Sequence, residues 1–492
     1  MKQFLKILVQ NMVSKTKQNY IFQVIYGILS MIVPLITAPY VTRVLGADNL
    51  GIYNYAYSIS GIFLKISELG VVNHGSRSIA SYQKDIESRS QIFWEIYFIQ
   101  FCVSLIITGV YFFYVLSFVK EHYLIALLQV IYVSSSIFNI RWFYMGLEQF
   151  KKTVTRDLIV KILSFIALFV FVKSRADLWK YTVITLSAFT ASNIFLWYGI
   201  KKYIKWVKPS KQGILDQIKP MLVLFIPTIA VSIYTVMDKV MLGAISGETS
   251  VAYYHYASVI AAIPLFFITS FGQVMLPRLS AMAAEGDTNS NSVIDKSLLF
   301  AFFMACAFSF GLSAISSEFI PLYYGEEFND CTILLILISF KLPFMAYSDV
   351  IRSQVLIPHH EDRKFVISLF FGAGINLLSN SLLIPGYGAV GAAIGTIVSE
   401  AAVSISQLFL ARKRYNPIKS LKSSLSFVLI GLIMFFVVVA IKNSILCKPI
   451  FKLIIEIASG AFCYLSLSFV YAFFFMDRKG LQITLKSMRR GK

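Results

Sequence analysis

Apolar runs of about 20 residues recur along this chain from residue 19 to residue 476. Each is long enough to cross roughly 30 Å of hydrocarbon as a helix. Strands do not account for them, because a membrane barrel is built from alternating segments of about ten residues and these runs are continuous. A soluble fold fails as well. Soluble domains carry roughly 25% charged residues, whereas the chain carries 14% among its 492 residues and is 57% hydrophobic. An all-α membrane protein is the expectation.

Length and loop punctuation place about fourteen spans, near 19–44, 50–69, 91–117, 123–147, 154–172, 178–200, 219–245, 250–275, 296–319, 330–356, 365–384, 388–411, 423–442 and 453–476. The loops between them are short. The first 18 residues are not read as a signal peptide: Lys6 and Gln10 break the apolar part and no small-residue cleavage site follows. Phe4, Leu5, Leu8 and Met12 share one helical face, which predicts an amphipathic helix on the cytoplasmic surface.

The basic residues orient the spans. With the N-terminal segment inside, Lys15 and Lys17, Arg77 to Arg89, Lys151 to Arg156, Lys201 to Lys219, Arg363 and Lys364, Arg412 to Lys422 and Arg478 to Lys492 all fall inside. Roughly 32 of the 45 Lys and Arg then lie on the cytoplasmic side. The net charge of +20 is thus mainly a topology signal. Nucleic-acid binding is set aside because the charges are spread over separate loops. The predicted location is a bacterial cytoplasmic (inner or plasma) membrane, multi-pass, with N- and C-termini cytoplasmic.

Two stretches match each other. GIYNYAYSI (51–59) pairs with AYYHYASVI (252–260), aligning Tyr53 with Tyr254, Tyr55 with Tyr256 and Ala56 with Ala257. At the same offset Arg77 and Ala80 pair with Arg278 and Ala281, and Leu45-Gly46-Ala47 matches Leu242-Gly243-Ala244 after a short insertion. Spans one to six would then repeat as seven to twelve. An even number keeps the orientation, which gives a parallel repeat with the site expected between two lobes near the midplane. The organisation expected is a cytoplasmic segment (1–18), an N-lobe (19–200), a basic linker (201–218), a C-lobe (219–411), two additional spans (412–476) and a basic tail (477–492). The fold class is two pseudo-symmetric six-helix lobes plus two extra C-terminal helices.

PLITAPYVTRVLGADNLGIYNYAYSI (34–59), NIRWFYMGLEQFKKT (139–153), FVKSRADLWKY (171–181), MDKVMLG (237–243) and GAGINLLSNSLLIPGYGAVGAAIGTIVSE (372–400) resemble the polysaccharide and O-antigen flippase family. That family belongs to the multidrug/oligosaccharidyl-lipid/polysaccharide exporter superfamily. The likeness runs from about residue 20 to 410. It implies two six-helix bundles around a V-shaped cavity, often with two extra helices. It also implies a transporter, not an enzyme, that moves undecaprenyl-diphosphate-linked oligosaccharide repeat units outward by alternating access, for capsule or O-antigen-type glycans. Membrane lipids, a glycan polymerase and other assembly proteins are the implied partners.

A charge at the centre of a span costs roughly 3 kcal/mol, so each needs a partner, a wet cavity or a function. The candidate cavity cations are Lys341, Lys239, Arg352, Lys65 and Arg141. Lys341 lies about 16 Å into its span at 1.5 Å per residue. Lys65 and Glu68 share a helical face and either pair or snorkel; Arg141 and Lys161 lie within reach of the inner surface. Asp238, Asp349 and Glu400 are the coupling or ion-pair candidates. A diphosphate suits such cations, and sugars stack on aromatic faces. Tyr53, Asn54, Tyr55, Tyr254 and Tyr256 are the sugar-contact candidates, with interfacial packing as the alternative. The residues leave coupling to H+, to Na+ or to the membrane potential open.

GYGAVG (386–391) fits a dinucleotide fingerprint in spacing only, since it opens a membrane span and no βαβ unit surrounds it. Gly388, Gly391 and Gly395 are expected to pack helices closely. His359 and His360 sit in a tight turn and are not read as metal ligands. The five cysteines have no metal-ligand spacing and read as small hydrophobes. No cofactor or metal is expected. Two other functions compete: a multidrug exporter of the same superfamily, which would present acidic groups to its cavity, and a membrane glycan polymerase or ligase, which would need a large external loop.

Overall fold

The computed structural model describes residues 2–285, 289–416, 418–445 and 447–475. The predicted basic tail at 477–492 lies outside them. The backbone of residues 2–18 belongs to the first helix, but their side chains, and so the amphipathic face of Phe4, Leu5, Leu8 and Met12, also lie outside what is described.

No strand occurs among the described residues. In chain order the helices are α1 (Lys2–Glu68), α2 (Val71–Ser81), α3 (Ile86–Phe118), α4 (Tyr123–Leu128), α5 (Val130–Ser134), α6 (Arg141–Gly146), α7 (Phe150–Phe171), α8 (Leu178–Ile194) and α9 (Lys211–Ser246). They continue with α10 (Glu248–Glu285), α11 (Ser290–Tyr324), α12 (Cys331–Ser339), α13 (Leu342–Ile351), α14 (Asp362–Ala411), α15 (Ile418–Ser444) and α16 (Pro449–Phe475).

Two of the long helices are each two rods. α1 breaks at Gly46 (φ 78°) and α14 at Gly388 (φ 53°), conformations that a side chain disfavours. The second break makes GYGAVG a helical corner. A Cβ on Gly391 would lie 2.4 Å from the Leu383 carbonyl oxygen, so the glycine lets the two rods touch. α3 starts at Asp85, whose Oδ1 accepts from the amides of Glu87 (2.9 Å) and Ser88 (3.3 Å). The Ser88 hydroxyl, followed by these amides, holds the Asp85 carboxyl below its usual range.

Among the described residues, nine helical stretches are long and apolar enough to cross a membrane. The chain is a multi-pass membrane protein of the transporter fold class. α7 falls outside the nine because every eighteen-residue stretch of it holds at least three of its charged residues; Arg156, Asp157 and Lys161 occur in all of them.

The chain divides into two compact units, residues 1–252 and 253–492. In the first, Phe93, Ile96, Trp142, Phe143 and Ile79 form a fully buried cluster, with the Phe93 and Trp142 rings stacked at 5.4 Å. α9 packs on α1, α2 and α3 and so groups with this unit. In the second, α11 is the central helix, packed on α12, α13, α15 and α16. Lipid is as apolar as a helix surface, so close approach and hydrogen bonds drive this packing more than hydrophobic burial does. α11 supplies both: Ala301, Ala305, Ser309 and Ser313, one every four residues, are buried. Ser309 donates to the Ser339 carbonyl at 2.9 Å.

Candidate functional site

The first unit contains an open cavity of about 800 Å³. α7 provides one wall through Arg156, Asp157, Val160, Lys161, Ser164, Phe165 and Leu168, the spacing of one helical face. α8 provides Tyr181, Thr185, Ala188, Phe189, Ser192 and Asn193; α1 contributes Pro34, Thr37, Lys65 and Glu68; Asn139, Arg141 and Met145 close the remaining side. The lining is graded. Along α7 charged groups give way to Ser164, then to Phe165 and Leu168, so the cavity has a charged end and an apolar, aromatic end.

Four cations (Lys65, Arg141, Arg156, Lys161) face two carboxylates (Glu68, Asp157) in the lining. Lys65 Nζ pairs with Glu68 Oε2 at 2.9 Å, and Asn139 Nδ2 donates to Glu68 Oε1 at 3.0 Å. Asn139 Oδ1 in turn accepts from the Arg141 amide at 3.2 Å. Asp157 is buried and serves two arginines: Arg156 Nη2 lies 2.5 Å from Oδ1, and Arg141 Nη1 lies 3.8 Å from Oδ2. The Ser192 hydroxyl also donates to Oδ1. A polar chain therefore runs from α1 through α6 and α7 to α8. Its formal charge stays positive after internal pairing.

The Arg141 end of this chain is anchored from α3. Gln100 donates to the carbonyls of Ser136 (2.6 Å) and Asn139 (2.8 Å) and accepts from the Trp142 indole at 2.9 Å. Trp142 is fully buried and lies against Gly75, where a Cβ would come within 2.4 Å of its ring. The backbone on both sides of Arg141 is thus fixed while its side chain reaches the cavity.

Of the residues singled out in the sequence, Lys65, Glu68, Arg141 and Lys161 come together in this cavity. Lys341 stands just before α13 and is half-buried; its ammonium makes no hydrogen bond or ion pair among the described residues. Arg352 pairs with Asp349 at 2.5 Å and lies over the Phe365 ring, at a π-helical turn spanning Arg352–Leu356. Asp238 and Glu400 are buried and Lys239 is half-buried.

The sugar-contact candidates are mostly engaged in packing. Tyr53 is buried, edge-on to Tyr181 at 4.8 Å. Asn54 donates to the Leu50 carbonyl on its own helix. Tyr55 packs on Gly243. Tyr254 shares a hydrogen bond with Thr396 at 2.7 Å, and Tyr256 packs against Tyr324 and Phe328. The aromatic groups that line the cavity are Phe165, Tyr181 and Phe189.

The sequence does not single out Asp157, Asn139 or Ser192, and it reads Arg156, at the start of the 154–172 span, as one of the cytoplasmic-side basic residues. The signal is the spacing: within that span Asp157 and Lys161 are one turn apart on a face that continues through Ser164 and Leu168.

The polysaccharide biosynthesis protein family model matches residues 16–283, and that of the lipid II flippase MurJ matches residues 158–462. Over 408 residues the chain is 25% identical to an Escherichia coli (strain K12) protein named for O-antigen transport, covering 80% of this chain and 96% of that one. It is 24% identical over 230 residues to the capsular polysaccharide biosynthesis protein CapF of Staphylococcus aureus, covering 46% and 57%. Its fold matches a solved structure of MurJ in an inward closed conformation, with a TM-score of 0.75 at 19% identity, over 94% of this chain and 100% of that one. An inward-facing multidrug resistance transporter of the MATE family matches at 0.58 and 15% identity, over 78% and 98%. With a match over more than half its length, the chain belongs to the polysaccharide biosynthesis protein family, among the flippases of the multidrug/oligosaccharidyl-lipid/polysaccharide exporter superfamily.

Proposed function

We propose that the protein carries undecaprenyl-diphosphate-linked oligosaccharide repeat units from the cytoplasmic to the outer leaflet of a bacterial inner membrane, for a capsule or O-antigen-type glycan. The observation that carries this reading is the cavity in which cations outnumber carboxylates four to two. A diphosphate is a compact anion, and arginine presents a planar fork that fits phosphate oxygens two at a time. The graded lining suits a molecule with a charged headgroup and less polar flanks. An exporter of organic cations would be served by the opposite sign. The functions named for the O-antigen and capsule relatives support the same substrate class.

The fuller topology belongs to this reading. Counting α1 and α14 as two rods each, and α4–α6 and α12–α13 as single spans, gives fourteen spans: a six-plus-six repeat and an extra pair. With the basic loops on the cytoplasmic side, this reading puts both termini there as well. The inside-negative potential then favours outward passage of an anion by about 2.3 kcal/mol per charge per 100 mV. Coupling residues (Asp238, Asp349, Glu400) and partners such as a polymerase are part of the proposal.

Reconstitution tests it. Proteoliposomes loaded with a fluorescent lipid-linked oligosaccharide should move the label between leaflets, and Arg141→Gln with Arg156→Gln should slow this at least tenfold. Transport of tetraphenylphosphonium without movement of the glycolipid would favour the multidrug reading.

A further inference from the structure

We propose that Asp157 is a positioning residue that stands in for the substrate's phosphate charge: it holds Arg141 in the empty cavity, gives it up to an arriving diphosphate and takes it back when the headgroup leaves. This deepens the proposed function and rests on the cavity being the diphosphate site.

The two arginines around Asp157 are not equivalent. Arg156 is 10% exposed and sits at 2.5 Å, within a charge-assisted hydrogen bond. Arg141 is 39% exposed, and its Nη1 stands 3.8 Å from Oδ2, beyond the 2.7–3.2 Å of a hydrogen bond. Oδ1 is engaged by Arg156 and by the Ser192 hydroxyl. These two contacts hold the carboxylate in place when Arg141 departs. Oδ2 is the side that attracts Arg141 without binding it tightly. The backbone at Arg141 is fixed through Gln100 and Trp142, so only the side chain has to move.

Charge balance gives the arrangement its purpose. Without Asp157, Arg141 and Arg156 would lose the carboxylate between them, which is costly, and a multiply charged phosphate would be held too firmly to leave. Transport needs binding favourable enough for entry and weak enough for release. An internal carboxylate that competes for one arginine sets that balance. Glu68 holds Lys65 at 2.9 Å, a closed pair, whereas Arg141 stands 3.8 Å from Asp157.

The test titrates inorganic pyrophosphate into the full-length protein in nanodiscs and measures glycolipid transport in proteoliposomes. Asp157→Asn should bind pyrophosphate at least fivefold more tightly than the unaltered protein, with a lower half-saturating glycolipid concentration and a lower maximal rate. Asp157→Glu should return both toward normal. Arg141→Gln should weaken pyrophosphate binding at least fivefold, and adding Asp157→Asn to it should restore nothing. Equal or weaker binding by folded Asp157→Asn overturns the inference. So does unchanged binding by Arg141→Gln, which serves if the aspartate variant does not fold. Absence of pyrophosphate binding by the unaltered protein would instead remove the diphosphate reading of the cavity, and this inference with it.

Discussion

Gln100 accepts a hydrogen bond from the Trp142 indole at 2.9 Å, and through this contact α3 fixes the start of the helix that carries Arg141. Gln100 Nε2 also holds the carbonyls of Ser136 and Asn139. Gln100→Leu would strand these buried groups, at about 1–3 kcal/mol for each one left unpaired. The melting temperature in detergent should drop, and pyrophosphate affinity should fall with it. A variant as stable as the parent would show that the glutamine does not anchor this corner.

Gly75→Ala isolates the same corner sterically. The added methyl would press on the Trp142 ring at 2.4 Å, and overpacking of this kind costs about 1–3 kcal/mol. Tryptophan fluorescence during thermal unfolding should report an earlier transition. Pairing the change with Trp142→Phe, which narrows the ring, should recover part of the loss; no recovery would contradict the contact.

Lys341→Ala should reduce glycan export while leaving membrane insertion intact, because its half-buried ammonium is not committed to an ion pair among the described residues. Normal export from a well-expressed variant would take Lys341 out of the transport route.

The turn before α14 offers a pH test. Burial raises the Glu361 carboxyl, but hydrogen bonds from Lys364 (2.7 Å) and Arg414 (3.3 Å) outweigh it, and the group titrates below its usual range. A depressed folded value means that the contribution is present above the unfolded value near 4.3 and is lost as pH falls through the folded one. Glu361→Gln should therefore lower stability at pH 7 by under about 1 kcal/mol. The difference from the parent should shrink on acidification below about pH 4. A difference that grows with acid would reverse the sign and exclude this pairing.

Much of the fold was legible because a membrane imposes one rule on every span: enough continuous apolar residues to cross. The glycines at the two internal breaks were readable for a related reason, since Gly46 and Gly388 fall where the sequence placed the ends of spans. The site was less legible. Lys65 and Arg141 stood out as costly charges in apolar surroundings, but the helix bringing in Arg156 and Asp157 begins earlier than its apolar run. The sequence places both near the start of the 154–172 span, where the run of basic residues reads as an orientation signal, not as a cavity wall. Tyr53 and Tyr254 are read less sharply from sequence, because aromatic residues repeated in both halves suit sugar contact and tight packing alike. The structure adds their neighbours in space, Tyr181 and Thr396.

The central claim is tested most directly in cells. Depleting the protein and labelling the lipid-linked repeat unit with a membrane-impermeant, sugar-specific reagent reads which leaflet holds it. The expected result is a lipid-linked unit that accumulates and stays protected from the reagent until the membrane is permeabilised. Units that accumulate but are labelled in intact cells would contradict it, and would place the protein after the flipping step.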